Sequence, residues 1–280
     1  MSKRSVCSIC LRRCSLLPGE VGACRARANN DGEVACVAYG HLTAMALDPI
    51  EKKPIARWHE GSTVLSVGAF GCNLSCPFCQ NHDIAQVGQG QVPTRYVAPE
   101  ELVAQAKALE AQGCIGLAFT YIEPFVTYEY MRDCALLAHD EGLLNVAVTN
   151  GMVQPGIFGE ALGFLDAVNI DLKGFTNVFY RACGFDGLEV VKSSIAAAAA
   201  CPTCHLEVTT LVVPTLSDAS QVEEAAQWLA GIDPNIPYHV TQYHPAYRYL
   251  DRPPLPNSEV CKYAHQARAH LTAVIEGNMR

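Results

Sequence analysis

Three cysteines in one short loop carry the most specific chemistry in this sequence. They are Cys72, Cys76 and Cys79, spaced CxxxCxxC, with the aromatic Phe78 directly before the last thiol. Three thiolates from one loop suit a cubic [4Fe-4S] cluster, because each sulfur can bind a different iron while the fourth iron stays open. The spacing therefore predicts a cluster whose open iron can bind a ligand from outside the protein.

Zinc ligation and disulfide bonding explain the same cysteines less well. A structural zinc ion needs a fourth Cys or His nearby, and His82 is the only candidate close in sequence. The thiols are too close together to be comfortable disulfide partners, and a third would be left over. Cluster ligation is favoured over both.

Further segments extend the pattern beyond the cluster loop, and together they resemble one known group of enzymes. The segments are GCNLSCPFCQN (71–81), TYIEP (120–124), NIDLKGF (169–175), YHP (243–245) and DPIEKKP (48–54). They resemble the radical S-adenosylmethionine (SAM) superfamily, and within it the branch around pyruvate formate-lyase activating enzyme. The likeness covers nearly the whole chain and is strongest toward the radical SAM proteins of the AmmeMemoRadiSam system.

That resemblance implies the cofactors and the reaction. SAM would bind the open iron, and one electron from the reduced cluster would split it into methionine and a 5′-deoxyadenosyl radical. A flavodoxin or ferredoxin is the implied electron donor. The activating-enzyme likeness favours hydrogen abstraction from a protein, such as a glycyl radical enzyme. Radical modification of a small molecule or another macromolecule is the alternative, and a non-catalytic zinc-binding scaffold is a third hypothesis.

Polar residues at the ends of predicted strands are candidate SAM ligands, since chemistry in parallel barrels collects at the carboxyl ends of strands. Glu123 suits an ammonium group, although a charge at a helix N-terminus is the rival reading. Thr149 and Asn150 suit ribose hydroxyls or a carboxylate, although a plain turn would also use them. Asp171 and Lys173 share one strand face and would orient a zwitterion, with a structural ion pair as the rival.

Three further candidates rest on the resemblance. It implies that His239 lies close to SAM, while a lone histidine is more often structural. Phe78 would pack, or present its backbone, near the adenine. His244 is a weaker candidate.

A second group of cysteines lies near the N-terminus. Cys7 and Cys10 form a CxxC pair, and Cys14 and Cys24 follow with glycines between them. Such a pattern suits a tetrahedral thiolate site that holds together a segment too small to fold on its own core. A second metal, zinc or iron, is therefore expected here in preference to free thiols, but spacing does not separate zinc, mononuclear iron and an auxiliary cluster.

Apolar runs alternate with amphipathic segments and predict the elements that position these residues. Alternating strands and helices imply parallel strands with right-handed crossovers, and six units make an α/β partial (β/α)6 barrel. We expect a Cys-rich N-terminal metal-binding segment with strands at 1–60 and the barrel at 61–280. The predicted strands are 63–70, 115–120, 144–148, 167–172, 206–213 and 239–243. The predicted helices are 99–112, 126–141, 155–162, 188–200, 219–229 and 256–271.

Composition and charge restrict the function class. The chain has 280 residues, 50% of them hydrophobic, which is enough to bury a large core. A formal net charge of −8 argues against nucleic acid as the main partner. The first residues show no apolar signal region, and no long apolar run follows. A cytoplasmic enzyme without a membrane partner is expected, in which its 14 cysteines are better read as metal ligands or buried thiols than as disulfides.

Overall fold

The N-terminal segment consists of short ribbons. The structure is a computed structural model that describes residues 4–279. β1 (Ser5–Val6) pairs antiparallel with β2 (Ser15–Leu16), and β3 (Arg27–Asn30) pairs antiparallel with β4 (Glu33–Cys36). β5 (His41–Leu42) follows. Two-stranded ribbons of this size are not stable by themselves, so other contacts must hold the segment.

The centre of the molecule is an open sheet of eight strands. After β5 the strands are β6 (Ala44–Pro49), β7 (Thr63–Gly68), β8 (Arg95–Tyr96), β9 (Cys114–Phe119), β10 (Leu144–Thr149), β11 (Ala167–Asp171), β12 (His205–Val212), β13 (Tyr238–Gln242) and β14 (Val274–Gly277). β8 pairs with β5, and the other eight form the sheet in the order β14-β13-β12-β11-β10-β9-β7-β6. Only β6 runs antiparallel to its neighbour within this sheet.

Helices connect the parallel strands. They are α1 (His82–Ala85), α2 (Pro99–Ala108), α3 (Tyr128–Asp140), α4 (Pro155–Ala161), α5 (Asn177–Ala182), α6 (Leu188–Ala199), α7 (Ala219–Ala230) and α8 (Asn257–Ala267). Proline opens α2 and α4, where a missing N–H costs nothing. Asp218 caps α7 by accepting a hydrogen bond from the Gln221 N–H. Sequence chemistry therefore sets several of the helix starts.

Alternation along the strands separates a packing face from an interior face. On β11, Val168 and Ile170 are fully buried in the main hydrophobic core. Asn169 lies between them and donates hydrogen bonds to the Thr209 hydroxyl on β12 and to the Pro54 carbonyl. Successive side chains on a strand point to opposite faces. The apolar face packs in the core, and the opposite face carries the polar groups of the barrel interior.

The α/β partial barrel is confirmed, and all six predicted strands are present. The sheet also has two strands that were not predicted, β6 and β14, one at each edge. β6 falls inside the predicted N-terminal segment, yet it pairs with β7 along its whole length. The sheet therefore extends across the boundary expected near residue 60.

Candidate active site

The three cluster cysteines lie in the loop that follows β7. The Leu74 N–H is 3.5 Å from the Cys72 sulfur, and the Cys79 N–H donates to the Cys76 carbonyl at 3.2 Å. Burial raises the pKa of Cys72 above its usual range and that of Cys79 to about 11. Buried thiolates need a compensating cation. Iron supplies one, so these thiols suit metal ligation better than free existence.

Asparagine side chains tie this loop to the end of β10. Asn73 is buried, and its amide donates to the Met152 carbonyl at 3.0 Å. The Asn150 amide donates to the Asn73 side-chain oxygen at 2.8 Å and lies 3.9 Å from the Cys72 sulfur. Asn150 was predicted to contact SAM. In the structure its side-chain amide holds the cluster loop, and the residue also borders a large cavity.

Glu123 lies at the end of the segment after β9 and is 2% exposed. Its carboxylate accepts hydrogen bonds from the Asn150 N–H at 2.7 Å, the Thr149 hydroxyl at 2.8 Å and the Phe125 N–H at 3.2 Å. Burial nevertheless raises its pKa to about 7. Glu123 thus caps the short helix that follows it, which is the role expected from its position at a helix N-terminus. It is also an acid that a cation in the cavity would help to ionise.

Thr149 makes its hydrogen bonds within the protein. Its hydroxyl donates to Glu123 and accepts from the Gly151 N–H at 3.0 Å, and the side chain lies outside the cavity lining. A short polar side chain at a strand end commonly bonds to nearby backbone. The structure therefore gives Thr149 the turn role that was its rival reading.

Asp171 and Lys173 form an ion pair, with 2.7 Å between the Lys173 Nζ and an Asp171 carboxylate oxygen. Burial opposes the charge on Lys173, but Asp171 and the neighbouring Cys76 thiol raise the pKa of Lys173 well above its usual range. Both residues border the same cavity as the cluster loop. A paired carboxylate and ammonium beside a cavity can still exchange partners with a bound zwitterion.

His239 on β13 points to a partner that the sequence did not reveal. Its Nε2 lies 2.5 Å from the Glu207 carboxylate, which is fully buried. The same carboxylate accepts from the Ala56 and Arg57 N–H groups and contacts His205 Nε2 at 3.0 Å. These hydrogen bonds outweigh the effect of burial and lower the pKa of Glu207 to about 2. Glu207 thus fixes His239 at the cavity wall.

Aromatic packing surrounds Phe78. It is 3% exposed and makes an edge contact with Phe179 at 5.7 Å between ring centroids. Phe78 also borders the cavity. His82, the candidate fourth zinc ligand, lies outside the lining and stacks on Tyr247 instead. His244 contacts the Asn278 carbonyl at 2.7 Å, a structural role.

These residues enclose one cavity of about 770 Å³. Its lining includes Cys72, Cys76, Phe78, Cys79, Glu123, Asn150, Asp171, Lys173 and His239. Pockets of roughly 300–1,000 Å³ bury ligands of drug size. The cavity is therefore large enough for a nucleoside-sized cofactor next to the cluster loop.

The protein family of this chain is shown by a match between its sequence and a family model. The sequence model of the radical SAM superfamily matches residues 67–229. The chain belongs to the radical SAM superfamily. Among relatives, the uncharacterized protein MJ0808 of Methanocaldococcus jannaschii is 35% identical over 264 residues, which cover 89% of this chain and 74% of that protein.

Several solved structures share the fold. SuiB from Streptococcus suis, bound to SAM, superposes with a TM-score of 0.55 at 12% identity, over 74% of this chain and 48% of SuiB. This chain thus spans less than half of SuiB. QueE from Escherichia coli gives a TM-score of 0.51 at 12% identity, over 86% of this chain and 94% of QueE. At these identities the likeness concerns the fold alone.

Superfamily membership implies an enzyme with radical chemistry, a [4Fe-4S] cluster and SAM. The residues present fit both groups, because three buried or half-buried thiols border the same cavity as an acid, an amide and an ion pair. Membership of this enzyme superfamily argues against a non-catalytic zinc-binding scaffold. In the described residues, 4–279, no helix is long and apolar enough to cross a membrane.

Sequence reasoning missed a buried ion pair at the cavity edge. Lys53 Nζ lies 2.8 Å from the Asp48 carboxylate, which also accepts from the Tyr121 hydroxyl at 2.9 Å. Lys53 is 3% exposed and lies 4.9 Å from the centre of the Tyr121 ring. Asp48 and Lys53 both belong to the DPIEKKP segment (48–54). The presence of both charges in that motif is the sequence feature that could have predicted the ion pair. Its role is to anchor that segment against the barrel.

Proposed function

We propose that this enzyme generates a 5′-deoxyadenosyl radical that abstracts a hydrogen atom from a protein substrate, with a glycyl radical enzyme as the specific candidate. The supporting observation is the single cavity in which cluster cysteines, Glu123, the Asp171–Lys173 pair and His239 meet. When bound, the cluster and SAM supply the radical, one electron being consumed for each hydrogen atom transferred.

The chain's own residues hold the reactants and keep water away. Glu123 and Asp171 offer carboxylates to the SAM ammonium group, while Lys173 offers an ammonium to its carboxylate. His239, held by Glu207 through Nε2, borders the cavity. Phe78 and Leu74 supply buried apolar surface beside the thiols. Such pre-positioning is the protein's main contribution to a cofactor-driven reaction.

Polar groups at the edge of the cavity support a protein substrate. Glu51, Lys52, Gln80 and Asn278 belong to the lining. The Lys52 side chain is 67% exposed, so part of this rim is open to solvent. Amide and charged side chains in such a position can bind the backbone of an extended peptide. The motifs that resemble those of pyruvate formate-lyase activating enzyme support the same substrate class.

A small-molecule substrate is the second candidate. The Asp171–Lys173 pair borders the cavity and could recognise a second zwitterion as well as SAM. Under this alternative the same radical would modify a metabolite or another macromolecule. The electron donor in both cases is proposed to be a flavodoxin or ferredoxin.

The test is hydrogen transfer into 5′-deoxyadenosine. The full chain is reconstituted anaerobically with iron, sulfide, SAM and a reductant, and mixed with a glycyl radical enzyme whose glycines carry deuterium. The proposal expects deuterium in 5′-deoxyadenosine and a glycyl radical signal by electron paramagnetic resonance. Deuterium transfer only from a labelled, protein-free metabolite extract would overturn the protein substrate in favour of the small molecule.

A further inference from the structure

Four cysteines of the N-terminal segment converge on a second cavity, separate from the active site. Its lining includes Cys7, Cys10, Cys14, Cys24 and Arg27. Cys7, Cys10 and Cys24 are each 7% exposed, and Cys14 is half-buried. The ribbons β1–β2 and β3–β4 are too short to hold this segment alone. The segment therefore depends on further contacts, and the thiols that line this cavity form no disulfides.

Backbone hydrogen bonds shape the loop that carries Cys7, Cys10 and Cys14. The Cys7 N–H donates to the Cys14 carbonyl at 3.0 Å, and the Arg13 N–H donates to the Cys10 carbonyl at 3.1 Å. The Ala23 N–H lies 3.5 Å from the Cys14 sulfur. Donors aimed at sulfur stabilise the thiolate form. This arrangement suits a metal ion better than four neutral thiols.

Arg27 provides an independent sign of an anionic group in this cavity. It is 4% exposed, and two of its guanidinium nitrogens bind the Glu129 carboxylate at 2.6 and 2.7 Å. Its third nitrogen, Nε, is buried and has no hydrogen-bond partner among the described residues. Leaving such a donor unpaired is costly. Thiolate sulfurs around a metal would supply the missing acceptor and a charge that complements the guanidinium.

The size of this cavity distinguishes a site for a single metal ion from a site for a second iron–sulfur cluster. The space between the four cysteines is about 10 Å³. That is roughly the room needed by one water molecule, and a cube of four irons and four sulfides would not fit. Within residues 4–279, no three Cys, His, Asp or Glu side chains lie close enough together to hold a metal ion as the structure stands. Ligation would therefore pull the thiols inward by a small distance as their protons are released.

We propose that Cys7, Cys10, Cys14 and Cys24 bind one Zn²⁺ ion as a tetrahedral tetrathiolate site. Zinc is the divalent ion that favours four thiolates in a closed structural site. The proposal does not depend on the identity of the substrate.

The site is joined to the cluster loop. The Cys72 N–H donates to the Cys24 carbonyl at 3.1 Å, and Gly71 has no room for a side chain because that carbonyl would lie 2.2 Å from its Cβ. The Arg12 guanidinium donates to the Asn73 carbonyl at 2.6 Å and the Gly184 carbonyl at 2.8 Å. Zinc would therefore fix the surface against which the cluster loop is built.

Metal content of the full chain, purified anaerobically with its cluster, tests the proposal. We expect about one zinc per chain in addition to about four irons and four sulfides. Cys10→Ser combined with Cys24→Ser should remove the zinc. Cys36→Ser is the matched control, since Cys36 lies in the same segment but outside the cavity lining, and it should keep the zinc.

Other outcomes overturn the assignment. Zinc that persists in the double variant, or a wild-type chain with extra iron in place of zinc, would contradict it. If the double variant fails to fold, cobalt substitution of the wild-type chain decides, because Co²⁺ bound by thiolates gives intense sulfur-to-metal charge-transfer absorption. Cobalt uptake without that absorption would also overturn a thiolate site.

Discussion

At the residue scale, the three cluster thiols have a role that the other cysteines do not share. Replacing Cys72, Cys76 or Cys79 with serine should reduce 5′-deoxyadenosine formation to background, because a hydroxyl is a poor ligand for cluster iron. The measurement is chromatography of the product after anaerobic incubation with SAM and reductant. Cys261→Ser is the control, since Cys261 is exposed and outside the cavity lining. Normal product from a Cys76→Ser variant would contradict the assignment.

Glu207 gives a residue-scale prediction with a defined pH dependence. Its folded-state pKa of about 2 is below its ordinary value of 4.5. Its ionised form therefore stabilises the fold fully above pH 4.5, and this contribution is lost as the pH falls toward 2. A shift of this size corresponds to about 3 kcal/mol.

Glu207→Gln should thus lower the free energy of unfolding by about 3 kcal/mol near neutral pH and by much less near pH 2. Denaturant unfolding at several pH values measures the difference. Glu189→Gln is the control, because the Glu189 side chain is 76% exposed, and it should change little. A cost for Glu207→Gln that stays constant across this pH range would show that the carboxylate charge is not the cause.

The sequence indicates residues that line the candidate site, but it does not show the residues that support them. The cluster cysteines could be predicted because the spacing of three thiols in one loop is typical of cluster ligation. Asp171 and Lys173 could be predicted because alternation along a strand puts both on one face. For Thr149 the sequence left contact and turn roles equally open, since spacing does not show which way a strand-end hydroxyl bonds. Glu207 was missed because its partners lie on other elements far along the chain.

At the element scale, alternating apolar runs found the six central strands because parallel strands are buried on both faces. The edge strands β6 and β14 were missed because they lack this burial on both faces. β6 has exposed positions at Met45 and Ala46 and ends in Asp48-Pro49, and β14 is only half-buried throughout. Edge strands are short and weakly patterned, so tertiary pairing rather than local sequence defines them.

Gly71 gives a prediction about the element that carries the cluster. Its φ is +87°, and an added Cβ would lie 2.2 Å from the Cys24 carbonyl oxygen. Gly71→Ala should therefore combine backbone strain of roughly 1–2 kcal/mol with a displaced loop. We expect reduced iron content and lower thermal stability.

Gly90→Ala separates the two effects. Gly90 also has a positive φ, +77°, but an added Cβ would meet nothing within 4 Å. This variant should show strain of about 1 kcal/mol and keep its full iron content. Equal iron loss in both variants would mean that contact with Cys24 does not position the cluster loop.

At the scale of the whole molecule, a net charge of −8 poses a problem for an acidic electron donor. Like charges slow the encounter of two proteins unless a local patch of opposite charge guides it. Two arginines lie beside the cluster loop. The Arg248 N–H donates to the Pro77 carbonyl, and Arg25 bonds to Gln86, whose amide donates to the Leu74 carbonyl.

Arg25→Gln combined with Arg248→Gln should therefore slow cluster reduction by flavodoxin or ferredoxin several-fold at low ionic strength. Added salt should shrink the difference from the wild-type chain, since exposed charges are screened over about 10 Å at 0.1 M. Reduction by a small chemical reductant should be unchanged, because it needs no docking surface. Lys107→Gln is the control, as Lys107 lies at the end of α2 and pairs with Glu110. Stopped-flow bleaching of the cluster measures the rate. A loss that is equal with the chemical reductant would mean that the arginines support the loop structure and do not guide the donor.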